Sequence, residues 1–544
     1  MIREVAMRRL LAGVIFSPMA VLAAIYVTGC FHSAEDCELN PILECGSWTP
    51  KGTGGASSSS SMSAGGGGTG GMSPDCSGDP GKANVIDACG VFVQADAAGA
   101  TKDGTQAHPY KTLQAAIDNA GMKRVYACAS APYEEAVTIA APVEMYGGFD
   151  CAKGWGWKVD ARSAINGPAG AVALTLTKQG DGAKVQGFAI TAAGAAVKGG
   201  SSIAVAVEDI AAALISCEVT AGDGMAGENG VTPAGIATKG ADAPPPDAVT
   251  MNACTNPASL AGGLAGMSTC DDGMTAGGLG GKGGVTGMSS GDGATGVDGT
   301  PADAAKGKGG AGEDAANDCS DGTKGKSGSA GAVGDAGLSP GALSVTGISD
   351  TNMTDGKPGT RGNGGGGGGG AKSGAFCGGV DGNGASGGGG GAGGCGGKGG
   401  GGGKAGGSSI ASVSVGTKLK RTDVALKTGK GGDGGKGTAG QGGGLVGLGA
   451  IGGAPSGTAP SKPGCTGGAG GLGGGGGPGG GGRGGHSVGL AYATAPTSAP
   501  PIKDFMGDLA GLGGPAASGN LPGNGAPGAA GACWDFTTNA ACAP

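Results

Sequence analysis

The chain contains 544 residues, of which 136 are glycine and 28 are proline, whereas aromatic residues account for 3% and charged residues for 14%. Its net charge of −7 and its few aromatic side chains exclude a basic, base-stacking surface, so we expect no nucleic acid partner. So much glycine and proline is typical of low-complexity chain, but the low proportion of charged residues departs from the usual signature of disorder.

The first thirty residues, MIREVAMRRLLAGVIFSPMAVLAAIYVTGC, have the pattern of a secretion signal. Three arginines precede an apolar run over residues 10–27, and small residues follow it. The last four residues, Val-Thr-Gly-Cys, resemble the lipobox of bacterial lipoproteins. The resemblance implies a signal peptide over residues 1–29, cleavage between Gly29 and Cys30, and a lipid on Cys30. An ordinary signal peptide and an uncleaved membrane anchor are the alternatives.

Residues 30–84 are expected to form the lipidated N-terminus and a flexible tether, because residues 50–75 have the glycine and serine content of flexible linkers. Phe31 follows the lipidation site, where lipoproteins retained at the inner membrane commonly have aspartate. We therefore expect an outer-membrane lipoprotein, on the cell surface or the periplasmic face, whose membrane contact is the lipid anchor at Cys30.

Cysteine use also indicates export. Of sixteen cysteines, the fifteen after Cys30 are scattered along the chain, as in secreted proteins stabilised by disulfides. Short separations predict four candidate disulfides, although spacing alone leaves the connectivity open: Cys37 with Cys45, Cys254 with Cys270, Cys377 with Cys395, and Cys533 with Cys542. At least one thiol is expected to be free or intermolecular. With three histidines and no Cys-x-x-Cys motif, neither a metal site nor a cofactor is expected.

The clearest fold signal lies in residues 85–222. Thr112 is placed to cap a short helix over residues 113–120, and short strands are predicted at 91–93, 124–128, 136–139 and 143–146 between proline and glycine turns. Paired strands then recur, at 172–177 with 185–194 and at 203–207 with 214–222. This spacing lies in the range of solenoid repeats, in which stacked units share one core.

The runs DGTQAHPYKTLQAAIDNA, RVYACASAPYEEAVTI and PVEMYGGF resemble the entry of right-handed parallel β-helices of the pectin-lyase-like superfamily. The resemblance implies an all-β solenoid with an N-terminal capping helix over residues 85–222, and carbohydrate as the ligand class. Relatives that cleave polysaccharides use clustered aspartates, or basic residues with calcium-binding carboxylates. Here Glu208 and Asp209 fall between two strands and Asp181 lies in a Gly-Asp-Gly turn, so no catalytic residue is predicted.

Glycine dominates the next part of the chain. Residues 223–405 are interpreted as an insertion with a possible strand at 341–348, and residues 429–485 as a second insertion. Glycine at every third position would suit a bundle of polyproline-II helices, in which backbones approach closely. Because ordering glycine costs the most conformational entropy, we expect long, largely irregular loops instead.

The hexapeptide GGSSIA occurs at residues 199–204 and again at 406–411. At an offset of 207 the two contexts align without a gap for twenty-four residues, with Ile203 opposite Ile410 and Val219 opposite Leu426. A weaker copy, GGHSVG, begins at Gly484. We therefore expect residues 406–428 to form a further β-helix coil, and residues 486–544 to hold the last strands and a Pro/Gly-rich tail.

These patterns predict a lipid-anchored structural or adhesive protein without catalysis, which binds carbohydrate, other cell-envelope material or another surface protein. A polysaccharide lyase or hydrolase with an unrecognised or degenerate site is the alternative, and it requires acidic or basic side chains stacked on adjacent coils.

Overall fold

Short strands make up most of the regular structure in this computed structural model, and helices are few. The structure describes residues 76–542 apart from 83–84, 100–101, 288–289, 350–352, 498–501, 503 and 518–521. The predicted signal peptide, the cleavage site at Gly29, the lipidation site at Cys30, and Cys37 and Cys45 lie outside the described residues.

The strands of the described residues, in chain order, are β1 (Gly90–Val93), β2 (Arg124–Cys128), β3 (Val137–Ile139), β4 (Glu144–Asp150), β5 (Gly156–Trp157), β6 (Ser163–Gly167), β7 (Leu174–Leu176), β8 (Lys184–Gln186), β9 (Phe188–Ala192), β10 (Ser202–Val207), β11 (Ala212–Ala221), β12 (Met267–Cys270), β13 (Gly273–Ala276), β14 (Leu343–Ser344), β15 (Gly347–Ile348), β16 (Gly374–Cys377), β17 (Val380–Gly382), β18 (Ser409–Ser414), β19 (Leu419–Lys427), β20 (Ser487–Tyr492), β21 (Asp504–Met506), β22 (Ala530–Asp535) and β23 (Ala540–Ala541). The α-helices are α1 (Leu113–Asp118) and α2 (Ala248–Met251), and single 3-10 turns occur at Cys151–Lys153 and Lys178–Gly180.

Two mainly parallel sheets contain most of the strands, and we call them the strand stack. The first sheet has the order β1-β2-β4-β8-β11-β19-β21, with β5, β6 and β9 attached, and the second has the order β23-β22-β20-β18-β10-β7-β3. Apart from the separate hairpins β12–β13, β14–β15 and β16–β17, the chain alternates between the two sheets from β7 to β22, with β8 and β9 both in the first. Their facing side chains meet in one core, which includes Val185, Leu214 and Leu426 from the first sheet and Leu174, Val205 and Leu490 from the second.

The helix predicted at the start of the stack is confirmed. The Thr112 hydroxyl accepts a hydrogen bond from the Ala115 amide at 3.2 Å, which satisfies one of the free amides of the first turn of α1. Leu113, Ala116 and Ile117 are buried in the core at the end formed by β1, β2 and β3. This end of the apolar core is therefore covered, as the resemblance implies for a capping helix.

The repeated GGSSIA segments lie side by side in the register that the sequence alignment predicts. β10 pairs with β18 in parallel, with Ile203 opposite Ile410, and β11 pairs with β19, with Val219 opposite Leu426. The weaker copy adds the next strand, since Val488 of β20 lies opposite Ile410. Identical or similar apolar side chains thus stack in ladders, and the offset of 207 residues in the sequence is the offset between paired positions of β10 and β18.

The strand expected at residues 341–348 is not a further coil. β14 and β15 form a separate antiparallel hairpin, with Leu343 opposite Ile348. Leu343 is buried and Ile348 partly buried against a cluster on the second sheet that includes Ile203, Ile410 and Val488. The apolar alternation that suggested a coil strand belongs to a hairpin that packs on the outer face of this sheet. A two-residue turn joins β14 to β15, and Gly347, which follows the turn, has a φ of +127°.

The expectation of irregular glycine loops is wrong for the described residues, because the glycine-rich segments hydrogen-bond to one another with a period of three residues. Gly278, Gly281 and Gly284 donate to Gly365, Gly368 and Ala371, and the same pattern joins most segments between residues 223 and 529. We call this assembly the glycine bundle. Three residues per turn is the period of the polyproline-II helix, in which successive amides point in three directions.

Three segments lie at the centre of the glycine bundle and are mostly buried: residues 362–371, 384–407 and 464–485. In the first, the amides of Gly362, Asn363 and Gly364 donate to three different segments, at Gly394, Lys326 and Thr300. Carbonyl groups of the same segment accept hydrogen bonds from the amides of three further segments. A side chain at any of Gly364–Gly370 would overlap a neighbouring carbonyl, so this position in the bundle requires seven consecutive glycines.

Three long-range disulfides cross-link the bundle. Cys254 is bonded to Cys377, Cys270 to Cys395, and Cys319 to Cys465. The expected pairs Cys254–Cys270 and Cys377–Cys395 do not form, because packing of distant segments brings each cysteine next to a partner at least 123 residues away.

The other described disulfides are local. The predicted bond between Cys533 and Cys542 is present, and two more join Cys76 to Cys89 and Cys128 to Cys151. Among the described cysteines, Cys217 alone is free; it is buried in the core, where burial raises its thiol pKa to about 11. This agrees with the prediction of at least one unpaired thiol.

Candidate functional site

A cavity of about 230 Å³ lies where the strand stack meets the glycine bundle. We call it the junction cavity. Its walls are the three corners that lead into β10, β18 and β20, together with the segment that leads into and out of the β14–β15 hairpin. The corner residues are Lys198, Gly199 and Ser201, then Lys404, Ala405, Gly406 and Ser408, and then Arg483, Gly484 and His486; the hairpin segment adds Ser339, Pro340, Ile348 and Ser349.

The corners repeat because they are copies of GGSSIA, stacked in register. Ser201, Ser408 and His486 occupy the same position in the three copies. The Ser408 amide donates to the Ser201 hydroxyl oxygen at 2.9 Å, and the His486 amide donates to the Ser408 hydroxyl oxygen at 2.9 Å. His486 continues the ladder, since its Nδ1 accepts from the Ala529 amide at 3.1 Å. Each of the three side chains therefore accepts a hydrogen bond from a backbone amide of the segment stacked next to it.

The hydrogen bond at Nδ1 defines the state of His486. An atom that accepts from an amide carries no proton, so the neutral ring has its proton on Nε2. Nε2 is buried and has no hydrogen-bond partner among the described residues. Burial, with the positive charge of Arg483 as a smaller cause, lowers the pKa of His486 to about 3, so the ring is neutral at physiological pH. Phe536 packs on the ring at a centroid distance of 5.1 Å.

Arg483 is the second buried polar group of the junction cavity. It is 9% exposed, and its Nη1 donates to the Leu338 carbonyl at 2.6 Å, while Nε has no partner within the described part of the chain. Burial lowers the pKa of its guanidinium group. The exposed lysines Lys198 and Lys404 stand at the rim, and none of the described residues that line the cavity is acidic. The cavity thus collects donors and positive charge.

The acidic residues considered from the sequence serve structural purposes. Asp181 accepts from the Ala211 amide at 2.7 Å, and Glu208 accepts from the Lys178 amide at 2.7 Å. Asp209 lies 3.5 Å from the Lys418 ammonium group. Asp433, in the glycine-rich run GKGGDGGKG, accepts from the Leu512 amide at 2.8 Å. These carboxylates join neighbouring coils or bundle segments and are not brought together.

Sequence reasoning missed the junction cavity although it singled out the repeat that builds it. The signal that could have been used is the third copy, GGHS at residues 484–487. There histidine replaces the first serine of the GGSS pattern, and Arg483 stands directly before the copy. Three stacked corners bring Lys198, Lys404 and Arg483 to one place, whereas along the chain they are separated by 206 and 79 residues.

Neither described helix has the length and apolar character that a membrane crossing requires. Within residues 76–542, where described, no group of three or more His, Cys, Asp or Glu side chains is placed to hold a metal ion.

Comparisons with protein-family models, with curated protein sequences and with solved structures give no match for this chain.

Proposed function

We propose that this chain is a lipid-anchored, surface-displayed structural or adhesive protein. Its scaffold is a right-handed parallel β-helix of the pectin-lyase-like kind, and it binds carbohydrate or other cell-envelope material without catalysis. Two parallel sheets that receive alternate strands around a common core are consistent with this solenoid. Disulfides spread through the described residues are consistent with an oxidising compartment outside the cytoplasm.

The observation that carries the proposal is the continuous register between stack and bundle. The 207-residue offset of the coils extends into the glycine bundle, where Asp223 accepts from the Lys430 amide and Asn229 from the Lys436 amide, both at 2.8 Å. The bundle is therefore held as an extension of the stack and is cross-linked by long-range disulfides. A body cross-linked in this way suits display and contact.

Lipidation is tested by comparing the full chain with Cys30→Ser in a bacterium that has an outer membrane. The natural chain is expected to incorporate labelled palmitate and to fractionate with the outer membrane, because the acylated cysteine is the anchor. Cys30→Ser is expected to lose both properties. Equal labelling of the two proteins would rule out the anchor at Cys30.

Binding without catalysis is tested by incubating the purified full chain with a panel of cell-envelope and plant polysaccharides. Co-sedimentation with at least one insoluble polysaccharide is expected, with no new reducing ends and no unsaturated sugar products. Release of shortened sugars would replace the adhesive function with the enzymatic alternative.

A further inference from the structure

We infer that the junction cavity binds an oxyanion, a carboxylate or phosphate group carried by a sugar-sized molecule or free in solution. This goes beyond the proposed function, which does not require a defined pocket. The inference rests on the charge balance, the donor arrangement and the size of the junction cavity.

The charge balance favours an anion. Arg483 is 9% exposed and lies in a cavity whose described walls carry two lysines and no carboxylate. A buried charge without a counter-ion is costly, and the cost falls when a ligand supplies the opposite charge. Guanidinium groups are well suited to this, because their donors match the paired oxygens of carboxylates and phosphates.

The donor arrangement favours oxygen atoms. Ser201, Ser408 and His486 each accept a backbone amide from the next coil, which leaves the two hydroxyl protons and the Nε2 proton as donors. Successive strands lie about 4.8 Å apart, so these donors form a short ladder. The Nε2 of His486 and the Nε of Arg483 are buried without partners in the described residues. Buried donors normally have acceptors, and an oxyanion supplies several at once.

The size limits the ligand. The volume of the junction cavity is about 230 Å³. It is below the range of about 300–1,000 Å³ typical of pockets for drug-sized ligands. The cavity therefore suits phosphate or a single acidic sugar rather than a long oligosaccharide.

Calorimetric titration of the full chain with inorganic phosphate, D-glucuronate and D-glucose tests the inference. Saturable binding of at least one anion is expected, and glucose, which matches glucuronate without its charge, should not bind. Binding of phosphate alone would identify a phosphate site, and tighter binding of glucuronate would identify a sugar-acid site.

Variants connect the binding to the junction cavity. Lys198→Gln combined with Lys404→Gln should weaken anion binding about fivefold, as expected for two exposed charges. Arg483→Gln should weaken it at least tenfold, because its charge is buried. Lys398→Gln is the matched control, since Lys398 is exposed on the same bundle segment, six residues before Lys404 and outside the junction cavity.

The inference is overturned if neither anion binds, if glucose binds as tightly as glucuronate, or if Lys398→Gln weakens binding as much as the lysine pair does. It is also overturned if both the lysine pair and Arg483→Gln leave the affinity unchanged. Circular dichroism verifies that each variant is folded, and the lysine pair decides alone if Arg483→Gln does not fold. Failure here would leave the proposed display function standing, since lipidation and polysaccharide binding are measured separately.

Discussion

At the scale of single residues, the glycine bundle is selective about where a side chain is allowed. In the segment over residues 464–485, a Cβ on Gly474 would overlap the carbonyl oxygen of Ser329, whereas the heavy atom nearest to a Cβ on Gly475 is the Gln441 carbonyl oxygen at 3.7 Å. Two adjacent glycines of one segment thus meet opposite surroundings. One faces a neighbouring backbone and the other faces the surface.

Gly474→Ala is accordingly expected to lower the free energy of unfolding by about 1–3 kcal/mol, the usual cost of overpacking. Gly475→Ala should be neutral or stabilise by about 0.4–1 kcal/mol, because alanine restricts the unfolded chain. Urea unfolding of the two variants measures the difference. Equal effects of the two substitutions would show that residues 464–485 are not packed as described.

His486 makes stability depend on pH. Its pKa is about 3 in the folded protein against 6.5 for an ordinary histidine, so below pH 6.5 the unfolded chain binds a proton that the folded chain does not. The contribution is complete above pH 6.5 and is lost as the pH falls towards 3, at about 1.4 kcal/mol per pH unit.

Between pH 7 and pH 4.5, His486→Gln should therefore lose about 2.5 kcal/mol less stability than the natural chain, since glutamine does not titrate. Denaturant unfolding at both pH values provides the measurement. His108→Gln is the control, because that side chain is exposed. The same pH dependence in the natural chain and in His486→Gln would contradict the assignment of a buried neutral ring.

At the scale of elements, the bundle segments are too poor in apolar side chains to be held by a core of the usual kind. Their amides and carbonyls bond to neighbouring segments, and long disulfides restrict the unfolded chain. The Cys319–Cys465 bond closes a loop of 146 residues, and the Cys533–Cys542 bond closes one of 9 residues. In the chain-entropy description the longer loop contributes more stability.

Replacement of Cys319 and Cys465 by serine should lower the free energy of unfolding by up to about 5 kcal/mol, and replacement of Cys533 and Cys542 by about 2.5 kcal/mol. Urea unfolding of the two double variants tests the order of the effects. A larger loss for the short loop would indicate that the bundle is not stabilised by its cross-links.

At the scale of the whole molecule, an offset of 207 residues relates β10 and β11 to β18 and β19, and it also relates the bundle segments that follow them. The outward amides of Lys430 and Lys436 are capped by Asp223 and Asn229 at the same offset that separates Ile203 from Ile410. Stack and bundle therefore share one register at this place.

Hydrogen exchange measures how far this order extends. Amides of residues 364–370 are expected to exchange nearly as slowly as those of β10 and β18, because each is bonded inside the bundle. The loop over residues 455–461 is mainly exposed and should exchange within seconds, so it provides an internal reference. Fast exchange at residues 364–370 would restore the interpretation as irregular loops.

Several features of the fold could be predicted from local pattern. The cap at Thr112, most strands of residues 85–222 and the pairing of Ile203 with Ile410 follow from spacing, turn residues and an ungapped repeat, whereas β5 and β6 were not predicted. The repeat could be aligned because stacked coils place equivalent side chains in equivalent surroundings, and this leaves a readable period in the sequence.

What only the tertiary structure decided is the order of the glycine segments, the pairing of Cys254 with Cys377, and the meeting of Arg483 with Lys198 and Lys404. Glycine carries no side chain that could record its neighbours, so the same run suits a flexible loop and the centre of a bundle. The difference lies in backbone hydrogen bonds between segments far apart in the chain, and these exist only once the coils hold the segments side by side.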